Sequence, residues 1–201
     1  MSRLVWYAAY GSNLSRARFG FYLRGGTPEG ATHAYPGSRD ASDPVDDRPW
    51  EIQRELAFGG TSRTWGGGVA FVDPDSETSS KARLYLITAD QFGDVVAQEN
   101  WLVPGKVTLA DWEGDERVIG VEHMYGLVLA LGSVDDYPVL TFTQHRGASR
   151  STPSPAYLHH IAEGLREAHA MTSADIVDYL AKRPGIFGNL TDDELRTSIE
   201  S

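Results

Sequence analysis

The chain has 201 residues, 41% of them hydrophobic, which is enough for one sizeable core and too little for two. It contains no cysteine, which excludes disulfides, thiolate nucleophiles and cysteine-based metal sites. A formal net charge of −10 argues against nucleic acid as a partner and requires that any anionic ligand be held by local donors against an unfavourable overall field.

The opening stretch MSRLVWYAAYGSN has too short an apolar segment for a secretory signal, and no apolar run approaches the roughly 20 residues of a membrane helix. A cytoplasmic chain without membrane attachment is the expectation. Residues 3–9 read as a buried strand, and 14–23 as a short helix capped by Ser12 or Asn13. The segment 27–50, rich in Gly, Pro, Asp and Ser, reads as a surface loop, either ordered or a mobile lid. Strands are expected at 52–58, 67–72, 82–87, 117–131 (bent at Gly120 or Gly126) and 137–143, with a helix at 89–99 between them. Helices follow at 155–169, 174–183 and 192–199, the last opened by a capping box from Thr191 to Glu194. Strands fill the first two thirds and helices the end, without a repeating strand–helix rhythm. The pattern predicts a single α+β domain over 1–201, with 172–201 as a C-terminal helical extension.

The helix TADQFGDVVAQEN is the informative one. Thr88 and Gln91 fit a capping box, which sets its phase. Phe92, Val95 and Val96 then form the apolar stripe, and the same face next presents Glu99, while Asp90, Asp94 and Gln98 point elsewhere. A carboxyl on an inward stripe has its pKa raised by burial, as a general acid or base working near neutral pH requires. A plainer arrangement has the helix end there, with Glu99 reaching solvent or pairing with a core arginine.

Other motifs carry less chemistry. His159 and Glu163 stand at i, i+4 as metal ligands do, but no third ligand has a recognisable spacing, so structural or solvent-facing histidines are expected. The glycines of TWGGGVA lack the ending of a P-loop and the spacing of a dinucleotide fold, and read as close backbone packing. GSNLS is not a nucleophile elbow, which argues against Ser12 as a nucleophile. In PSPAY, Ser154 caps a helix and Pro155 takes its first position. Tyr157 then lies in the first turn, either as a core aromatic or with its hydroxyl free to reach a site.

Taken in order, YAAYGSNL, LAFGGTSRTWGGGVAFV, ARLYLITADQFGDVVAQEN and YPVLTFTQHRGASRSTPSPAYLHHIAEGLREAHA resemble successive blocks of the γ-glutamylcyclotransferase family. They cover most of residues 4–180. The chain departs from the family where the glutamate is followed by Asn100-Trp101 rather than glycine, where Ala82-Arg83 stands for a glycine in the preceding strand, and in the segment 27–50.

The resemblance implies a mixed β-barrel with helices packed around it and a cavity lined by the YGSN loop. It places the family's catalytic glutamate on Glu99 and its substrate-binding loop on Tyr10, Gly11, Ser12, Asn13 and Leu14, with Tyr157 as a further substrate-side tyrosine. Gly11 and the N–H groups of 11–14 at a helix start suit a carboxylate. The implied reaction closes a γ-glutamyl group to 5-oxoproline and releases the attached amine or amino acid. It requires no cofactor, metal or protein nucleophile. The expected partner is a small γ-glutamyl compound, with no nucleic acid and no membrane, acting on a monomer or homodimer. An enzyme of the same fold that removes a γ-glutamyl protecting group, and a non-catalytic binder of a small acidic ligand, are the alternatives.

Overall fold

A computed structural model of the chain describes residues 3–28, 31, 33–109, 114–120, 123–145 and 149–200. Eight strands and five helices are found among them: β1 (Leu4–Ala9), α1 (Arg16–Arg24), β2 (Asp46–Ile52), β3 (Glu55–Gly59), β4 (Val69–Asp73), β5 (Ser80–Thr88), α2 (Ala89–Glu99), β6 (Glu116–Val118), β7 (Leu127–Val134), β8 (Tyr137–Thr143), α3 (Pro155–His169), α4 (Ser173–Leu180) and α5 (Asp192–Glu200). The α+β class is the expected one. Six strands form one mixed sheet in the order β2-β5-β1-β8-β7-β6, and β3 and β4 pair separately. The strands β2 and β6 remain edges, so among the described residues the sheet is open rather than closed into the barrel that the resemblance implied.

β1 lies at the centre of the sheet, antiparallel to β5 and parallel to β8. Its apolar run LVWYAA suits a strand covered on both faces, and Val5 to Ala9 are all buried. It therefore delivers the next residues, Tyr10 to Leu14, into the middle of the molecule. α2 follows β5 directly, opened by the expected capping box, in which Thr88 accepts from Gln91 N–H and the Gln91 side chain accepts from Thr88 N–H. Phe92, Val95 and Val96 are buried in the common core. α3 is opened by Ser154 with Pro155 in first place, as its sequence indicates.

Three differences from the sequence reading have local causes. Ser12–Leu14 forms a separate 3₁₀ turn, and the helix starts at Arg16 with Ser15, not Ser12 or Asn13, as its cap. Three polar residues offered themselves, and capping by Ser15 turns Arg18, Phe19, Tyr22 and Leu23 inward together. The expected strand 52–58 is two strands. β2 reaches back into the segment expected to be a loop, and tolerates Pro49 because it is a sheet edge. The expected strand 117–131 is also two, joined by a turn in which Gly126 comes so close to Gly120 that an added Cβ would lie 2.1 Å from its carbonyl oxygen. Residues 121 and 122 of that span lie outside the described residues.

Much of the segment 27–50 is held down rather than loose. The carboxylate of Asp94 is fully buried and accepts from Arg39 N–H at 2.9 Å, Arg39 Nε at 3.0 Å and Gly105 N–H at 2.6 Å. Gln98 accepts from Gly37 N–H and donates to the Tyr22 carbonyl, and Gln91 donates to the carbonyls of Asp40 and Ser42. Gln91, Asp94 and Gln98 of α2 thus hold the segment 37–42 against the helix.

Candidate active site

A cavity of about 270 Å³ opens between the turn after β1, helices α1 and α2, strand β4 and the start of α3. Its size suits a small molecule. Tyr7, Tyr10, Gly11, Ser12, Asn13 and Tyr157 line it together with Arg18, Tyr22 and Glu99, and Tyr35, Trp65 and Trp101 are among its further lining residues.

Glu99 is the last residue of α2 and keeps partial access through this cavity, though protein surrounds its carboxyl. Burial raises its pKa above the ordinary carboxyl value. Hydrogen bonds from the Tyr22 hydroxyl and the Asn13 amide, and the charge of Arg18, oppose that shift without cancelling it. The outward carboxylate of the plainer reading is not what the fold produces: the helix does end at Glu99, but against the cavity. Arginine is also nearby: the charge of Arg18 acts on Glu99, and its Nη2 donates to the Tyr22 hydroxyl at 3.4 Å.

The residues after β1 divide. Asn13 donates from Nδ2 to Glu99 Oε1 and to the Tyr7 hydroxyl, each at 3.3 Å. Gly11 has φ −102°, outside the left-handed region, and space around it is tight: an added Cβ would meet the Tyr157 hydroxyl at 3.0 Å and Ala70 Cβ at 3.2 Å. Tyr10 lines the cavity and donates to the Phe142 carbonyl at 2.6 Å. Leu14 does not line the cavity. Its side chain packs under α3 at Gly164, and its carbonyl accepts from Arg83 Nη1 at 2.6 Å. The turn is thereby anchored from below while its first residues face the cavity.

Tyr157 accepts from Ala70 N–H at 3.2 Å, and burial pushes its pKa up to about 12. Burial also raises Tyr7, Tyr10 and Tyr22 well above the ordinary phenol value. These hydroxyls stay neutral at physiological pH and can position a ligand by hydrogen bonding, but they are not bases there. Glu99 is the carboxyl among the described lining residues of the cavity, which His33 also lines.

Sequence reasoning missed Arg18 and Tyr22, the pair that reaches Glu99 from α1. Their spacing of four was a signal, since two such residues share one helical face, but the phase of the helix was set one cap too early to read it. The other motifs lie apart from the chemistry. His159 and His160 both face Glu163, at 3.6 and 3.2 Å, and His160 also meets the edge of Trp65. The glycines of TWGGGVA are close backbone packing: Gly68 donates to the Thr152 carbonyl, and a Cβ on Gly67 would lie 2.6 Å from that same oxygen.

This fold, with its turn after the first strand and its glutamate at the end of a helix, is that of γ-glutamyl cyclotransferase-like proteins. A solved structure described as a γ-glutamyl cyclotransferase superposes with a TM-score of 0.57 at 18% identity, covering 98% of this chain and 99% of that one. An uncharacterised human protein gives 0.55 at 17%, covering 99% of each chain, and YkqA of Bacillus subtilis 0.50 at 16%, covering 90% of this chain and 55% of its own. No family model matches the chain. Among curated proteins, one from Arabidopsis thaliana named histone deacetylase 5 is 33% identical over 201 residues, a match that takes in 89% of this chain and 30% of that protein. The chain thus spans about 30% of the length of that relative, whose name describes a much longer protein. Among the described residues no helix is long and apolar enough to cross a membrane.

Proposed function

We propose that the chain is a γ-glutamylcyclotransferase-type enzyme and that Glu99 is its general acid and base. The observation that carries this reading is the placement of Glu99: a carboxyl with a burial-raised pKa, on the wall of a small cavity, hydrogen-bonded to the turn that follows the first strand. A binder of acidic ligands gains nothing from such a group, because an ionised carboxylate there repels the ligand.

In the proposed reaction the α-amine of a γ-glutamyl group attacks its own γ-carbonyl carbon. A C–N bond closes the five-membered lactam, and the C–N bond to the attached amine breaks. Free α-amines have a pKa of about 8 and are mostly protonated at neutral pH, so a base must take a proton before or during attack. The proton of the ammonium form goes to solvent; Glu99 takes the second proton as the lactam C–N bond forms and returns it to the departing nitrogen, which leaves as a neutral amine. A buried carboxyl of raised pKa is suited to both transfers, since it neither holds the proton too weakly nor fails to release it.

The remaining residues orient the substrate. Tyr10, Gly11, Ser12 and Asn13 hold the glutamyl end, with the Tyr157 hydroxyl behind Gly11, and bring amine and carbonyl together. Such orientation can supply several kcal/mol of the barrier. The deciding experiment is a screen of γ-glutamyl amino acids and γ-glutamyl amines for release of 5-oxoproline by the intact chain. Release from at least one of them, lost on Glu99→Gln, is the expected result; no release from any sinks the assignment.

A further inference from the structure

Two arginines of this chain are buried to the same degree, and they are treated differently. Arg83 is 3% exposed and is neutralised in place, with Glu167 at 2.8 Å and Asp47 at 3.2 Å. Arg18 is also 3% exposed, but its hydrogen-bonding partners are neutral: its Nη2 donates to the hydroxyls of Tyr35 at 2.5 Å and Tyr22 at 3.4 Å. Its Nε and Nη1 are shut from solvent and have no acceptor. The guanidinium lies 4.5 Å from the ring centre of Tyr35, 4.8 Å from Tyr22 and 5.7 Å from Trp65. A buried cation with N–H groups left over is costly unless something completes it. Ring faces and tyrosine hydroxyls do so only in part.

Arg18 lines the same cavity as Glu99, and the rings that cover it, Tyr35 and Trp65, are half-buried side chains that line it too. Because the unpaired Nε and Nη1 are shut from solvent, a ligand in the cavity reaches them only if a covering ring turns aside. In a chain of net charge −10 an anion needs such a local cation. A carboxylate accepts from the unpaired Nη1, or takes two parallel hydrogen bonds from the Nη1–Nη2 edge in place of a tyrosine hydroxyl.

We infer that Arg18 is the carboxylate-binding residue of this cavity, so that its ligands are amino-acid derivatives with a free carboxylate. The choice of carboxylate over other anions rests on the γ-glutamyl reading above. Two carboxylates satisfy it, that of the glutamyl group and that of a departing amino acid, and ligands separate them.

The test is equilibrium binding by calorimetry to the intact chain with Arg18 unchanged, Arg18→Met and Arg18→Lys. The probes are γ-glutamylglycine with two carboxylates, γ-glutamylmethylamide with the glutamyl one alone, and 4-aminobutyramide with none. Arg18→Met weakens carboxylate ligands by about 10- to 100-fold, the scale of hydrogen bonds to a charged group, and leaves 4-aminobutyramide unchanged. Arg18→Lys, which keeps the charge and loses the fork, falls between. Weakening of γ-glutamylglycine alone assigns Arg18 to the departing amino acid; weakening of both acids assigns it to the glutamyl end. Equal affinities in a folded Arg18→Met chain overturn the inference, as does an equal loss for all three probes. Should Arg18→Met fail to fold, unchanged carboxylate binding by Arg18→Lys, or a wild type that binds 4-aminobutyramide as tightly as γ-glutamylglycine, overturns it instead. Release of 5-oxoproline is measured separately. Arg18-dependent binding without release removes the cyclisation and keeps the carboxylate site, whereas release with Arg18-independent binding does the reverse.

Discussion

The side-chain amide of Asn13 lies 3.3 Å from Oε1 of Glu99, joining the turn after the first strand to the end of the second helix across 86 residues of sequence. The contact ties the proposed substrate loop to the proposed base. It also stabilises the ionised form of Glu99 against the cost of burial.

Replacing Asn13 by alanine is therefore expected to raise the pKa of Glu99 further. A rate that rises with pH as Glu99 loses its proton then has its ascending limb displaced to higher pH, with kcat/KM lowered by roughly tenfold at neutral pH, the scale of one hydrogen bond to a charged group. The pH profile of 5-oxoproline release reads the effect. A limb that stays in place, or moves to lower pH, contradicts it.

Gly11 tests the space behind the turn. In Gly11→Val the first added carbon meets the Tyr157 hydroxyl at 3.0 Å and Ala70 Cβ at 3.2 Å, and the rest of the valine adds to the crowding, so the turn or these cavity-lining neighbours have to shift. A fall in kcat/KM of roughly 10²-fold is expected, the scale of a misplacement of about 1 Å. Unchanged KM and kcat in a folded variant would mean that the turn has only a structural role.

Gly164 supports the turn from the other side. A Cβ there would lie 2.2 Å from Leu14 Cβ and 2.4 Å from Ser15 N, both parts of a buried segment that cannot swing aside. Gly164→Ala should lower stability by about 1–3 kcal/mol and weaken ligand binding with it, because relief comes from displacing residues 12–15. Chemical denaturation and calorimetry on the same sample check both. A loss of stability with unaltered binding would show that the support of the turn by α3 has no bearing on the site.

Elements that announce themselves by period and cap were legible in the sequence. α2 and α3 begin where Thr88, Gln91, Ser154 and Pro155 indicate, and the stripe of Phe92, Val95 and Val96 pointed to Glu99 without excluding a plainer role, the family resemblance then marking the same residue. The start of α1 was not legible, because Ser12, Asn13 and Ser15 are all good caps and only tertiary packing chooses among them. Strand β2 was hidden by its edge position, which permits the aspartates and the proline that sequence rules assign to loops. Asp94 gave no sign of its role: a carboxylate off the apolar stripe reads as solvated, and its partners Arg39 and Gly105 are remote or backbone. Arg18 was lost with the phase of α1. The departures from the resembling family also take a physical form. Asn100 closes α2 by pairing both ways with the backbone of Tyr125, and Trp101 follows with φ 60°, beside the cavity.

The account rests on Glu99, and Glu99→Gln tests it most directly. A carboxyl whose folded pKa is raised contributes no penalty below its unfolded value. The penalty grows as pH rises between the two values and is constant above the folded one. The glutamine chain should therefore be at least as stable as the wild type at neutral pH, with any advantage vanishing toward pH about 4, where both states bind the proton. It should still bind a γ-glutamyl ligand through the turn, and its release of 5-oxoproline should fall by roughly 10²–10⁴-fold, the usual scale for a lost general base. A folded Glu99→Gln chain that binds such a ligand normally and releases 5-oxoproline at close to the wild-type rate would contradict the account.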